Sequence, residues 1–130
     1  MEKKRTDYLI KRIYKLLMND TGDLIIRLKK IHDPSVYGMC WSWLGVIHID
    51  PRKELLPTLI HEALHMLYPE WCETIVLRSE KSICYKMSDR QYANLLVRFA
   101  DYLVRIGLAD RKETNGNHNR KRKEVPQVRS

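Results

Sequence analysis

The 130-residue chain has one phenylalanine, five glycines, five prolines and three cysteines. No uninterrupted apolar run approaches the roughly 20 residues needed to cross a bilayer. Met1-Glu2-Lys3-Lys4-Arg5 leads into charged sequence where a signal peptide would turn apolar. Both absences point to a cytoplasmic protein with no membrane partner. Cys40, Cys72 and Cys84 are an odd number without C-x-x-C spacing, which argues against a disulfide framework and a thiolate zinc finger and reads as buried thiols. Internal repeats are absent as well. Against these absences stand 44% apolar and 31% charged residues, the composition of one compact domain.

The formal net charge of +8 is unevenly placed. Residues 1–18 hold six basic and two acidic side chains, residues 109–130 hold seven and three, and the ninety between hold eleven of each sign. The excess belongs to the ends. A basic tail and a Lys-rich helix face offer phosphate contacts, so a nucleic-acid partner bound through the termini is a secondary reading. The neutral centre has no basic and aromatic interleaving to support it.

Helical spacing of Leu9, Ile10, Ile13, Leu16 and Leu17 predicts an amphipathic helix to about Met18. After the turn cluster at 19–23, Leu24 to Lys29, Val36 to Trp43 and Val46 to Ile49 have strand composition, the last two joined as a hairpin through Leu44-Gly45. Pro57 predicts a short helical turn at 51–56 and a main helix from about 57, which Tyr68-Pro69 stops. Pro69 at a first helical position then predicts a helix to about Tyr85. Ser88-Asp89-Arg90-Gln91 is a capping-box pattern opening a final helix that ends at Gly107. From Ala109 the sequence is nearly devoid of large apolar residues and reads as a solvated, flexible tail. The expected organisation is one α+β domain over 1–108, a small, mostly antiparallel sheet of about three strands packed on helices, with a basic tail over 109–130.

The chemistry lies in Thr58-Leu59-Ile60-His61-Glu62-Ala63-Leu64-His65-Met66-Leu67, an H-E-x-x-H pattern inside a predicted helix. At 100° per residue His61 and His65 are about 40° apart and one turn removed, so both imidazoles reach one metal ion. Glu62 sits beside them without taking a ligand position. A catalytic zinc usually takes a third protein ligand and leaves its fourth position open. The next helix is the nearest source, and there Glu73 and Glu70 are both candidates. Glu80 lies on the Glu73 side about two turns later, near 10 Å along the axis.

The motif, with Tyr68-Pro69 and Glu73 after it and Gly45-Val46-Ile47-His48-Ile49-Asp50 before it, resembles the zincin metallopeptidases. Among these it is similar to the small gluzincin-like proteins called minigluzincins, over roughly residues 36–85. The resemblance implies a zincin-like minimal domain with His61, His65 and Glu73 binding Zn2+. It also implies that Glu62 serves as general base in the hydrolysis of peptide bonds by a metal-activated water. Carried over, Val46, Ile47, His48 and Ile49 form an edge strand that pairs with an extended peptide or protein substrate. Larger gluzincins carry an acid four positions after the glutamate to orient a ligand histidine; here that position is Leu77, so the support comes from elsewhere or is absent. SprT-like proteases use a third histidine, and only His118 follows His65. Tyr37, His48, Tyr68 and Tyr85 are candidate donors to an oxyanion. The alternative within the same resemblance is a latent zincin whose cleft is covered by a terminal segment or by a second copy in an oligomer.

Overall fold

A computed structural model of the chain describes residues 3–18, 23–107 and 127–129. The elements in chain order are α1 (Lys3–Leu17), β1 (Ile25–Leu28), β2 (Gly38–Trp41), β3 (Val46–Ile49), α2 (Leu55–Leu67), α3 (Glu73–Lys86), α4 (Asp89–Tyr102) and β4 (Gln127–Arg129). The architecture is α+β, as the sequence predicts. α1 buries Leu9, Ile10, Ile13 and Leu17, the stripe set by its periodicity. At the start of α4 the Ser88 hydroxyl accepts from the Gln91 amide at 3.1 Å, and the Gln91 side chain accepts from the Ser88 amide at 2.9 Å. Two otherwise orphaned donors are satisfied this way. α4 continues through a π-helical turn, Leu103–Gly107, to the glycine predicted to end it.

Two helix starts differ from the sequence reading. α2 begins at Leu55 and not near 57, because Pro57 is its third residue. The first amides of a helix have no intrahelical acceptor, so a proline there loses nothing. α3 begins at Glu73, after a turn over Pro69 and Glu70, with Cys72 as N-cap. Glu70 therefore lies outside the helix, exposed.

The sheet order is β1-β3-β2-β4. β3 pairs parallel to β1 and antiparallel to β2, and β4 adds antiparallel to β2. β3 is thus interior: both its edges are consumed by the ladder, and Val46, Ile47, His48 and Ile49 do not form the edge strand expected from the resemblance. The hairpin turn folds back because Gly45 takes φ 71°, and a Cβ there would sit 2.0 Å from the Asp23 carbonyl oxygen. β4 comes from the segment read as tail; residues 108–126, and with them the expected domain boundary, lie outside the described residues.

Leu24, Ile26, Cys40, Ile47 and Ile49 form the inner face of the sheet and pack with Leu59, Ile60, Ala63 and Leu64 of α2 in one buried cluster. Each leucine and isoleucine among them contributes about 1.5–3 kcal/mol on burial. The Tyr102 hydroxyl of α4 donates to Leu24 O at 2.6 Å and accepts from Ile26 N at 3.1 Å, fastening the outer edge of β1. The approach to α2 is held by charge. Arg52 grips buried Asp50 with Nε and Nη2 at 2.9 and 2.6 Å, holding its carboxyl well below the usual carboxylate range. Lys53 Nζ donates to the carbonyls of Ile31, Asp33 and Val36, which ties the loop entering β2 to the start of α2. Among the described residues no helix is long and apolar enough to cross a membrane.

Candidate metal centre

α2 is buried along almost its whole length, including His61, Glu62 and His65. Hydrophobic residues around these three exclude water from one side, while α3 supplies the acids on the other. Glu73, the first residue of α3, brings one carboxylate between both imidazoles. Its Oε2 is 3.0 Å from His61 Nε2 and its Oε1 is 2.9 Å from His65 Nε2. The ligand atoms of His61, His65 and Glu73 lie within 4.8 Å of one another, a group that could hold a metal ion. The Glu73 side chain is 51% exposed, so the group opens to solvent on that side. Between the two acids that the spacing left open, the fold selects Glu73, because Glu70 falls in the turn.

The orienting partner of His61 is Glu80. Its Oε1 accepts from His61 Nδ1–H at 2.9 Å, and its side chain is 5% exposed. A carboxylate can only accept, so this bond fixes the tautomer and leaves the His61 lone pair on Nε2, facing Glu73. Glu73 and Glu80 are seven residues apart on one face of α3, two turns, so one helix supplies both a ligand-type acid and its supporting acid. Leu77, at the position where the larger gluzincins carry an acid, is replaced in that role by Glu80. The spacing signal was visible; that both acids turn toward α2 was not. His65 Nδ1 is buried and makes no hydrogen bond among the described residues. Burial holds the His65 imidazole below its ordinary pKa, with Glu73 pulling the other way and His61 adding to the depression. The neutral ring, the form that ligates metal, is favoured.

These observations fit a metal. Two Nε2 atoms meet one oxygen each of the same carboxylate, a donor set of the type that binds zinc at catalytic sites.

Glu62 points toward β2. A Cβ added to Gly38 would lie 3.1 Å from Glu62 Oε2, 3.1 Å from His48 O and 2.7 Å from Thr58 Cγ2. Gly38 therefore leaves the space that the Glu62 carboxylate occupies, a role no motif revealed. Glu62 and burial together push the Cys40 thiol well above its ordinary pKa, burial being the larger cause, so this thiol is inert. The expectation of buried thiols holds for Cys40 alone, since Cys84 is half-buried and Cys72 is exposed.

The remaining candidates are dispersed. His48 faces away from the core on β3, its ring 4.9 Å from that of Trp41. Burial, with Lys29 and Arg27 nearby, lowers its pKa to about 4. Tyr68 accepts from Arg12 at 3.1 Å and stacks on Trp71, and Tyr85 is 87% exposed. The tail cations Arg120 to Lys123 lie outside the described residues. In comparisons with known proteins, no family model, no curated protein and no solved structure matches this chain, so the His61, His65 and Glu73 group stands on its own geometry.

Proposed function

We propose that the chain is a zinc-dependent peptide hydrolase. The observation that carries this reading is the convergence of His61 Nε2, His65 Nε2 and Glu73 on one point, beside a buried Glu62. When bound, zinc supplies Lewis acidity, polarising a carbonyl and acidifying water. His61, His65 and Glu73 hold the ion, and Glu80 keeps His61 in the ligating tautomer. Glu62, one residue along from His61, accepts a proton at its carboxylate and returns it to the leaving amine. Apolar packing around α2 keeps that carboxylate out of bulk water. The test is Glu62→Gln. Metal content and fold should remain while peptide cleavage is lost; cleavage at the wild-type rate would remove Glu62 from the base role.

A second reading, a latent form of the same enzyme, is favoured by β4. With β3 interior, the sheet edge next to the site belongs to β2, whose Gly38 adjoins Glu62 and pairs with Arg129. In this reading residues 127–129 occupy the backbone groups that would pair with an extended substrate. Removing residues 127–130 should raise peptide cleavage, and equal rates for the full and trimmed chains would exclude latency by β4.

A further inference from the structure

α4 turns Leu95, Phe99 and Tyr102 into the core, packing on α1. Its outer face is apolar as well. At 100° per residue Ala93, Leu96, Val97 and Ala100 fall within an arc of about 100°. Val104 in the following turn extends the stripe. Leu96 is 47% exposed, Val97 65% and Val104 67%, and both alanines are exposed. The spacing 93, 96/97, 100, 104 is that of a helix–helix seam, and the two alanines allow close approach of a second helix.

The remainder of the chain holds no sequence suited to cover this seam. Outside the described residues, 1–2, 19–22, 108–126 and 130 contain Met1, Leu108 and Val125 as their only large apolar side chains. The seam is instead complementary to itself. Centred between Leu96 and Val97 and run antiparallel, it sets Ala93 against the partner's Ala100 and Leu96 against the partner's Val97. Arg90 and Asp101 lie on the same flank, about 20° apart. Antiparallel helices match like flanks, so Arg90 meets the partner's Asp101 twice across the two-fold axis, beside the bond of 2.8 Å that Arg105 already makes to Oδ2 of that exposed carboxylate. A parallel arrangement would place Arg90 on the flank opposite the partner's Asp101, with no such pairing. Charge and shape thus select a second copy in one orientation.

We propose that the outer face of α4 is the interface of an antiparallel, two-fold homodimer. No residue of the seam belongs to the metal centre, so the dimer is independent of the hydrolase reading. The test is analytical ultracentrifugation of the full chain up to about 1 mM, the weakest range in which a specific dimer is detectable. A concentration-dependent dimer is expected, with Leu96→Glu raising its Kd at least about tenfold and leaving the circular dichroism spectrum unchanged, since Leu96 is exposed. Arg90→Glu and Asp101→Arg should each weaken the dimer, and their combination should restore it. A monomer throughout, a dimer indifferent to Leu96→Glu, or a double variant no tighter than the singles would overturn the proposal.

Discussion

Replacing Glu80 with Gln isolates the step by which this fold prepares His61. The wild-type bond is a carboxylate accepting from Nδ1–H at 2.9 Å, almost fully buried. Gln keeps the length and one acceptor oxygen but removes the charge. Hydrogen bonds to charged groups contribute about 1.5–3 kcal/mol and neutral ones about 0.5–1.5, so the exchange costs His61 roughly 1–1.5 kcal/mol of support. That loss falls on the metal-bound state, where the ring must give up electron density at Nε2, and corresponds to about tenfold weaker zinc binding. Competition with a chelator of known affinity reads this directly. The metal-free protein should melt within a few degrees of wild type, and the stabilisation that added zinc confers should fall by about 1.4 kcal/mol at saturating metal. Glu80→Ala, which also strands Nδ1, should lower metal-free stability by about 1–3 kcal/mol besides. Wild-type zinc affinity in Glu80→Gln, in a titration where Glu73→Gln clearly weakens binding, would refute the orienting role.

Three other outcomes follow from the same geometry. Gly38→Ala should lower stability by about 1–3 kcal/mol through overpacking against Thr58 and Glu62, and Thr58→Ser, which removes the clashing methyl, should recover part of it; an unchanged melting temperature in Gly38→Ala would mean that space is free. Tyr102→Phe should cost about 1–3 kcal/mol in urea unfolding, because it leaves the Leu24 carbonyl and the Ile26 amide buried without a partner; a loss under a few tenths would show the clamp is dispensable. His48 predicts an acid-sensitive window. Its folded pKa is lowered to about 4 from an ordinary 6.5, so as pH falls below 6.5 the unfolded chain takes a proton that the folded chain refuses. Stability from this group is whole above pH 6.5 and declines to a plateau near pH 4, by at most about 3 kcal/mol. Urea midpoints for His48→Gln should show a shallower fall over that range, and identical slopes would contradict a neutral, half-buried ring.

Local structure, and the spacing of the two histidines on α2, are legible in the residues alone. Periodicity placed the helices, the Ser88 to Gln91 box placed the start of α4, and the H-E-x-x-H spacing put two imidazoles one turn apart. These are consequences of 3.6 residues per turn, and they need no knowledge of what packs where. The departures are equally local. Pro57 predicts a break because a proline inside a helix is costly, whereas in the first turn it costs nothing. Pro69 predicts a helix start, although the turn it opens runs on to Cys72. Relations between segments distant in the chain emerge from packing alone. The pairing of β1 with β3 makes Val46 to Ile49 an interior strand, which no alternation pattern can reveal, since an edge and a centre differ only in their neighbours. The choice of Glu73 over Glu70, the union of Glu80 with His61, and the fit of Glu62 against Gly38 all depend on the angle at which α3 and β2 meet α2. That angle is set by side-chain packing summed over the whole core, a property that no single stretch of sequence holds.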